Sequence, residues 1–188
     1  MALYALIDRD SLLSRGISLT SLTQKIASLN ASIVQYRAKN ISTAQRIEDL
    51  KCIQKHYNGT IIINDDIDAI EYADGLHIGQ EDCAKFADNK LEAIRVIRQK
   101  ISDKLLGIST HNAQEIEEAN SLDLNYIGLG AYRSTTTKKE AEVGDNLLEI
   151  AKLSKHPVAL IGGVRVDDTF DEEVIAYSVV GSDLFNYL

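Results

Sequence analysis

Eight short runs rich in Ile, Val, Leu and Tyr recur along the chain, and stretches with apolar residues three and four apart separate them at a steady pitch. The runs are Leu3–Ile7, Ile33–Arg37, Thr60–Asn64, Gly75–Ile78, Leu105–Ser109, Asn125–Leu129, Val158–Ile161 and Ser178–Val180. Between them, Leu22–Leu29, Thr43–Tyr57, Leu91–Lys100, Ala113–Ser121 and Asn146–Leu153 carry the period of a helix covering a sheet. Ser42 and Asn112 stand where N-caps are needed. Strands alternating with helices predict parallel βα units, and eight of them favour a closed (β/α)8 barrel, a TIM barrel, over a doubly wound sheet. The pattern weakens near its end. Val166–Glu173 is too short for a full seventh helix, so that helix is expected to be shortened. No eighth helix is expected after the last strand, which leaves one flank of the barrel open. Phe185, Tyr187 and Leu188 would then pack across the gap or meet a second subunit.

With 188 residues, 45% of them hydrophobic, the chain can bury one sizeable core but not two, so residues 1–188 are read as one domain. No apolar run approaches the ~20 residues of a membrane span, and Met1-Ala2-Leu3-Tyr4 leads into Asp8-Arg9-Asp10 without a charged leader. A soluble cytoplasmic protein is therefore expected. Cys52 and Cys83 lack metal or redox spacing, which fits a reducing compartment. A formal charge of −8 argues against a general nucleic-acid binder and repels anions at long range. Any phosphate ligand must then be held by a local basic pocket.

Chemistry concentrates where the strands stop. Gln35, Arg37 and Lys39 end the second run, Asn64 and Asp65 the third, His77 and Asp82 follow the fourth, and Ser109 and His111 end the fifth. Ser134-Thr135-Thr136-Thr137-Lys138 follows the sixth, Gly162-Gly163 the seventh and Gly181-Ser182 the eighth. In a (β/α)8 barrel all these positions converge on one face, the one that carries active sites. Asn64-Asp65-Asp66 and Gly79-Gln80-Glu81-Asp82 read either as hard oxygen ligands suited to Mg²⁺ or as solvated turns. Gly162-Gly163 and Val180-Gly181-Ser182 occupy the barrel's usual phosphate position, although paired glycines also make ordinary tight turns. A strand-end histidine such as His77 is expected to be structural, while His111, beside Ser109, is the more interesting of the two.

Taken in order, several segments resemble the thiamine phosphate synthase family, within a superfamily that also includes thiazole tautomerases. They are Leu3-Tyr4 through Asp8, Gln35-Tyr36-Arg37-Ala38-Lys39, Asn64-Asp65-Asp66, Ala73 through Asp82, Gly107-Ile108-Ser109-Thr110-His111, Thr135-Thr136-Thr137-Lys138-Lys139 and Ile161-Gly162-Gly163-Val164. The resemblance spans nearly the whole chain. It implies a barrel transferase of thiamine biosynthesis that joins hydroxymethylpyrimidine diphosphate to hydroxyethylthiazole phosphate with Mg²⁺ and releases pyrophosphate. It further implies that Asp65 and Asp82 hold the metal and that Arg37, Lys39, Asn64 and Lys138 contact the diphosphate. Gln35 and Ser109 would lie near the pyrimidine, with Thr135 and Thr137 lining the diphosphate and thiazole region. Turnover would rest on Arg37, Lys39, Ser109 and Lys138. His111, Gly162, Gly163, Val180 and Gly181 would complete the substrate site. Because the family often forms homodimers, the resemblance extends to a homodimer here.

One loop departs from the family pattern. Gly130-Ala131-Tyr132-Arg133-Ser134 replaces the usual Gly-Pro-aromatic-Pro, placing Arg133 near the anion site, where it would meet a phosphate or carboxylate or face water. Two alternatives compete with the synthase: a thiazole tautomerase using His111 as acid or base, and a degenerate barrel that only binds thiamine precursors.

Overall fold

The computed structural model describes residues 1–133 and 146–188. Its eight parallel strands close into a barrel in chain order, with β8 (Tyr177–Val180) returning to pair with β1 (Ala2–Asp8). The others are β2 (Ile33–Arg37), β3 (Thr60–Asn64), β4 (Gly75–Ile78), β5 (Leu105–Thr110), β6 (Tyr126–Leu129) and β7 (Val158–Leu160). Each differs from its expected run by two residues or fewer at either end, which is the margin at which strand ends fray.

Strand parity explains both the stability and the placement of chemistry. On one face of the strands Ala5, Ile7, Val34, Tyr36, Ile63, Leu76, Ile108 and Val180 join the layer between barrel and helices. On the other, Tyr4, Leu6, Ile33, Ile62, Tyr126, Ala159 and Val179 fill the barrel interior. Burying each large aliphatic chain contributes about 2 kcal/mol from area alone. Tyr126 fits because Gly107 has no side chain: a Cβ there would lie 2.2 Å from the ring's Cζ. The period-two alternation then carries Arg37 of β2, Asn64 of β3, His77 of β4 and Ser109 of β5 inward, toward the barrel mouth.

Helices follow the apolar periodicity. They are α2 (Leu19–Ser28), α3 (Thr43–His56), α5 (Lys90–Ile101), α6 (Ala113–Ala119) and α7 (Leu147–Ala151), with shorter α1 (Arg9–Ser14) and α4 (Gln80–Cys83). Ser42 and Asn112 cap α3 and α6 as expected, accepting from the N–H groups of Gln45 and Glu115 at 3.2 and 2.9 Å. Helix α1 and α4 are too short to show a period in sequence, as is the 3₁₀ helix Ile67–Tyr72.

The closing flank differs from expectation. Val166–Glu173 runs as turns rather than as a shortened helix, and a 3₁₀ helix, Ser182–Tyr187, follows β8. These segments bury Leu184 and half-bury Phe170 and Phe185 against the core, and the flanking Val164 and Ile175 are buried beside them, so the flank is covered from within this chain. No helix among the described residues is long and apolar enough to cross a membrane.

Candidate active site

A cavity of about 180 Å³ opens at the C-terminal mouth of the barrel, and strand-end residues from around the ring line it. That volume is far more than a lone water needs. One wall is cationic. Arg37, at the end of β2, is ion-paired to Asp8 at the end of β1, which also caps α1 by accepting from the Ser11 N–H at 2.9 Å. The pairing aims the guanidinium along the wall. Lys39 is exposed at the rim and forms no ion pair among the described residues.

Beside the cations lie two carboxylates. Asp65 follows β3 with φ at +61°, a left-handed conformation that Asp tolerates better than most side chains. Its Oδ1 accepts from the Gly79 N–H at 3.0 Å and its Oδ2 from the Asn64 side-chain amide. Asp82 comes from α4, where Lys85 pairs with it from the solvent side. A Cβ on Gly79 would stand 3.0 Å from Asp82 Oδ2 and 3.8 Å from Asp65 Oδ1, so the two carboxylates converge beside this glycine. Burial pushes the Asp65 carboxyl above its ordinary range and Asp82 adds to it, while the Gly79 N–H, Arg37 and Asn64 pull it down. Among the described residues no group of three or more His, Cys, Asp or Glu gathers as a metal cluster. Two convergent carboxylates suit Mg²⁺, which keeps water and phosphate in its other positions, better than Zn²⁺, which takes three or four protein ligands. Asp66 turns away to Arg46 of α3 and caps the following 3₁₀ helix.

The floor is polar but uncharged. Gln35 Nε2 donates to the Tyr4 hydroxyl at 2.7 Å, Tyr4 and Tyr126 share a hydrogen bond of 2.9 Å, and Tyr126 meets His77 Nδ1 at 3.0 Å. His77 Nε2 lies 3.0 Å from Ser109 Oγ. Burial lowers the His77 pKa to about 4, which keeps the imidazole neutral. His111 reaches the cavity edge with Nδ1 held 2.9 Å from Glu115 Oε2.

The remaining wall is made of backbone. Gly162 and Gly163 have φ of +90° and +66°, and a Cβ on Gly162 would come within 2.6 Å of Ala131 Cα. Only glycine fits there, and the bare main chain lines the cavity together with Gly181 and Ser182. Arg133 is taken up by its own chain: its guanidinium binds Asp168 through both nitrogens at 2.5 and 3.1 Å and reaches the Gly163 carbonyl at 3.1 Å.

The structure thus gathers Gln35, Arg37, Lys39, Asn64, Asp65, Asp82, Ser109, His111, Gly162, Gly163 and Gly181 at one cavity. Val180 is the exception. Its parity is opposite to that of Val179, so its side chain lies fully buried in the outer layer rather than at the cavity. Thr135, Thr137 and Lys138 fall outside the described residues. Sequence reasoning missed Tyr4 and Tyr126 and gave His77 a purely structural place. Their inward parity with Leu6, Gly128 and Gly75 was the available signal.

The matches to known proteins bear on family and fold. The family model described as thiamine monophosphate synthase matches residues 3–181. A thiamine-phosphate synthase of Persephonella marina is 33% identical over 180 residues, covering 91% of this chain and 80% of that protein. Another, of Chloroflexus aurantiacus, is 33% identical over 171 residues, covering 86% of this chain and 74% of that protein. The solved thiamine phosphate pyrophosphorylase from Pyrococcus furiosus superposes with a TM-score of 0.77 over 98% of this chain and 91% of that one, at 23% identity, and so supports the fold. A match over almost the whole chain, on a closed barrel with its polar residues at one mouth, makes this chain a member of the thiamine monophosphate synthase family.

Proposed function

We propose that the chain joins hydroxymethylpyrimidine diphosphate to hydroxyethylthiazole phosphate, releasing pyrophosphate and using Mg²⁺ held by Asp65 and Asp82. The observation that carries this reading is the division of one cavity into a cationic wall with convergent carboxylates and a glycine wall across a neutral polar floor. Two anionic substrates find separate seats there. In the reaction the methylene C–O bond breaks with its electron pair going to the diphosphate, and the thiazole nitrogen lone pair forms the new C–N bond. No protein nucleophile is needed, so the protein's work is alignment and stabilisation of the departing charge.

Arg37 and Lys39 meet the diphosphate oxygens, the first as a planar fork steadied by Asp8 and the second as a point charge at the rim. Asn64 steadies Asp65 from one side and faces the same end of the cavity. Bound Mg²⁺ supplies a compact divalent charge for the leaving group. Gln35 and Ser109 seat the pyrimidine on the floor, and the main chain at Gly162, Gly163 and Gly181 receives the thiazole phosphate. Thr135, Thr137 and Lys138 belong to the same reading through the family pattern. The free thiols of Cys52 and the buried Cys83, the latter pushed up to about 11 by burial, fit a cytoplasmic setting.

The test is to mix the purified protein with both precursors and Mg²⁺ and to follow thiamine phosphate with and without a chelator. Product that disappears with the chelator is expected; absence of product from folded protein rejects the reading. Asp65→Asn keeps a side chain that tolerates the left-handed backbone and is expected to lower turnover on the order of a hundredfold. A tautomerase on the same barrel would be indifferent to that change and would depend on His111.

A further inference from the structure

Four hydrogen bonds join Gln35, Tyr4, Tyr126, His77 and Ser109 end to end, crossing from β2 through β1, β6 and β4 to β5. Tyr4, Gln35, Tyr126 and His77 are buried, and all five residues line the cavity. Each phenol, the neutral imidazole and the serine hydroxyl carries a single hydrogen, so the direction chosen by one bond dictates the next.

If Tyr126 donates to His77 Nδ1, the ring hydrogen sits on Nε2 and is given to Ser109, whose own hydrogen is released to the cavity. Tyr4 then donates to Tyr126 and accepts from the Gln35 amide, which leaves the Gln35 carbonyl oxygen as acceptor. If Ser109 instead donates to His77, every bond reverses and the Gln35 amide turns over: Tyr4 donates to the Gln35 carbonyl and the Gln35 NH2 is left over. A mixed arrangement strands a phenol hydrogen inside the barrel, which a low-dielectric interior penalises. Either permitted polarity leaves one donor at one end and one acceptor at the other.

We infer that these five residues form one relay that fixes the polarity of the groups facing the pyrimidine, with Tyr4, Tyr126 and His77 as positioning residues. Such a pair of ends complements a heterocycle that presents both a ring-nitrogen acceptor and an exocyclic N–H donor, as an aminopyrimidine does. The inference rests on the synthase reading, because it takes the pyrimidine to lie on this floor.

The experiment is a double-mutant cycle on the full chain with Tyr126→Phe, Tyr4→Phe and Ser109→Ala. Far-UV circular dichroism and a thermal melt check the fold, and kcat and KM are measured for each substrate. Tyr126→Phe is expected to lower kcat/KM for the pyrimidine diphosphate about tenfold, leave KM for the thiazole phosphate unchanged, and cost less than about twofold once Ser109 is already Ala. Additive losses, or equal changes in both KM values, mean the tyrosines only pack the barrel and overturn the relay. Tyr4→Phe cuts the same chain and carries the cycle if Tyr126→Phe does not fold. A wild-type chain that makes no thiamine phosphate rejects the synthase reading by itself. The same non-additivity is then sought in equilibrium binding of the pyrimidine diphosphate, and absence of binding overturns the relay as well.

Discussion

His77 shows how a single buried residue ties stability to pH. The fold holds its imidazole neutral with a pKa of about 4, against an ordinary value of 6.5 in an unfolded chain. Above 6.5 both states are neutral and the fold keeps its full stability. As pH falls from 6.5 toward 4, the unfolded chain takes up a proton that the folded barrel refuses, and stability is lost. The loss from this group is on the order of 3 kcal/mol across that window. Urea unfolding at pH 7 and pH 4.5 is therefore expected to show a smaller pH difference in His77→Gln than in the wild type; an unchanged difference refutes the assignment. At this scale the sequence was legible where a residue's chemistry is unusual for its place. A planar cation at a strand end, or Asp after a run of isoleucines, is visible as a string, whereas a tyrosine inside a β run looks like any core aromatic. Tyr4 and Tyr126 differ from Tyr36 only in which way the pleat turns them. The Val180 side chain turns to the outer layer for the same reason, since parity flips between neighbours.

At the scale of elements, α3 does more than cover the sheet. Arg46 on its buried face pairs with Asp66 beyond β3 and donates to the Ala38 carbonyl beyond β2 at 2.7 Å. One guanidinium thus clasps the two loops that carry Arg37 and Lys39 on one side and Asn64 and Asp65 on the other. Arg46→Met preserves much of the side chain's bulk and is expected to cost up to about 3 kcal/mol in urea unfolding, because it leaves the half-buried Asp66 carboxylate without its partner. Turnover of the folded fraction is expected to fall as well, since both loops lose a common anchor; intact stability and turnover would show that the clasp is dispensable. Helices with a long apolar period and a polar N-cap, such as α3 and α5, were readable because local forces suffice to define them. The turns at Val166–Glu173 and the 3₁₀ helix Ser182–Tyr187 were not. Their form answers to the gap they fill, where Val164, Ile175 and Leu184 meet the core.

For the whole molecule, closure of the barrel brings the two ends of the ring together, with Ala5 beside Val180 and Ala2 beside Tyr177. The cavity draws on strand ends from nearly every part of that ring, so a ligand spanning it would couple to global unfolding. Pyrophosphate with Mg²⁺ at about a hundred times its Kd is expected to add about 2.7 kcal/mol and to raise Tm by several degrees. A chelator or Asp65→Asn should remove most of that rise in a thermal melt. A rise that survives both would take Asp65 out of the metal site. On the proposed reading this local attraction works against a net charge of −8, which favours gathering Arg37 and Lys39 at the cavity over spreading them across the surface. By itself the sequence determined the number and order of the βα units and the clustering of polar residues after strands. Both are written in short-range periodicity that any segment carries alone. Only the tertiary structure decided which face each strand residue takes, how Arg133 is absorbed by Asp168, and that Asp65 and Asp82 converge beside Gly79. Those outcomes depend on barrel stagger and on contacts between residues far apart in the chain, and no local pattern encodes them.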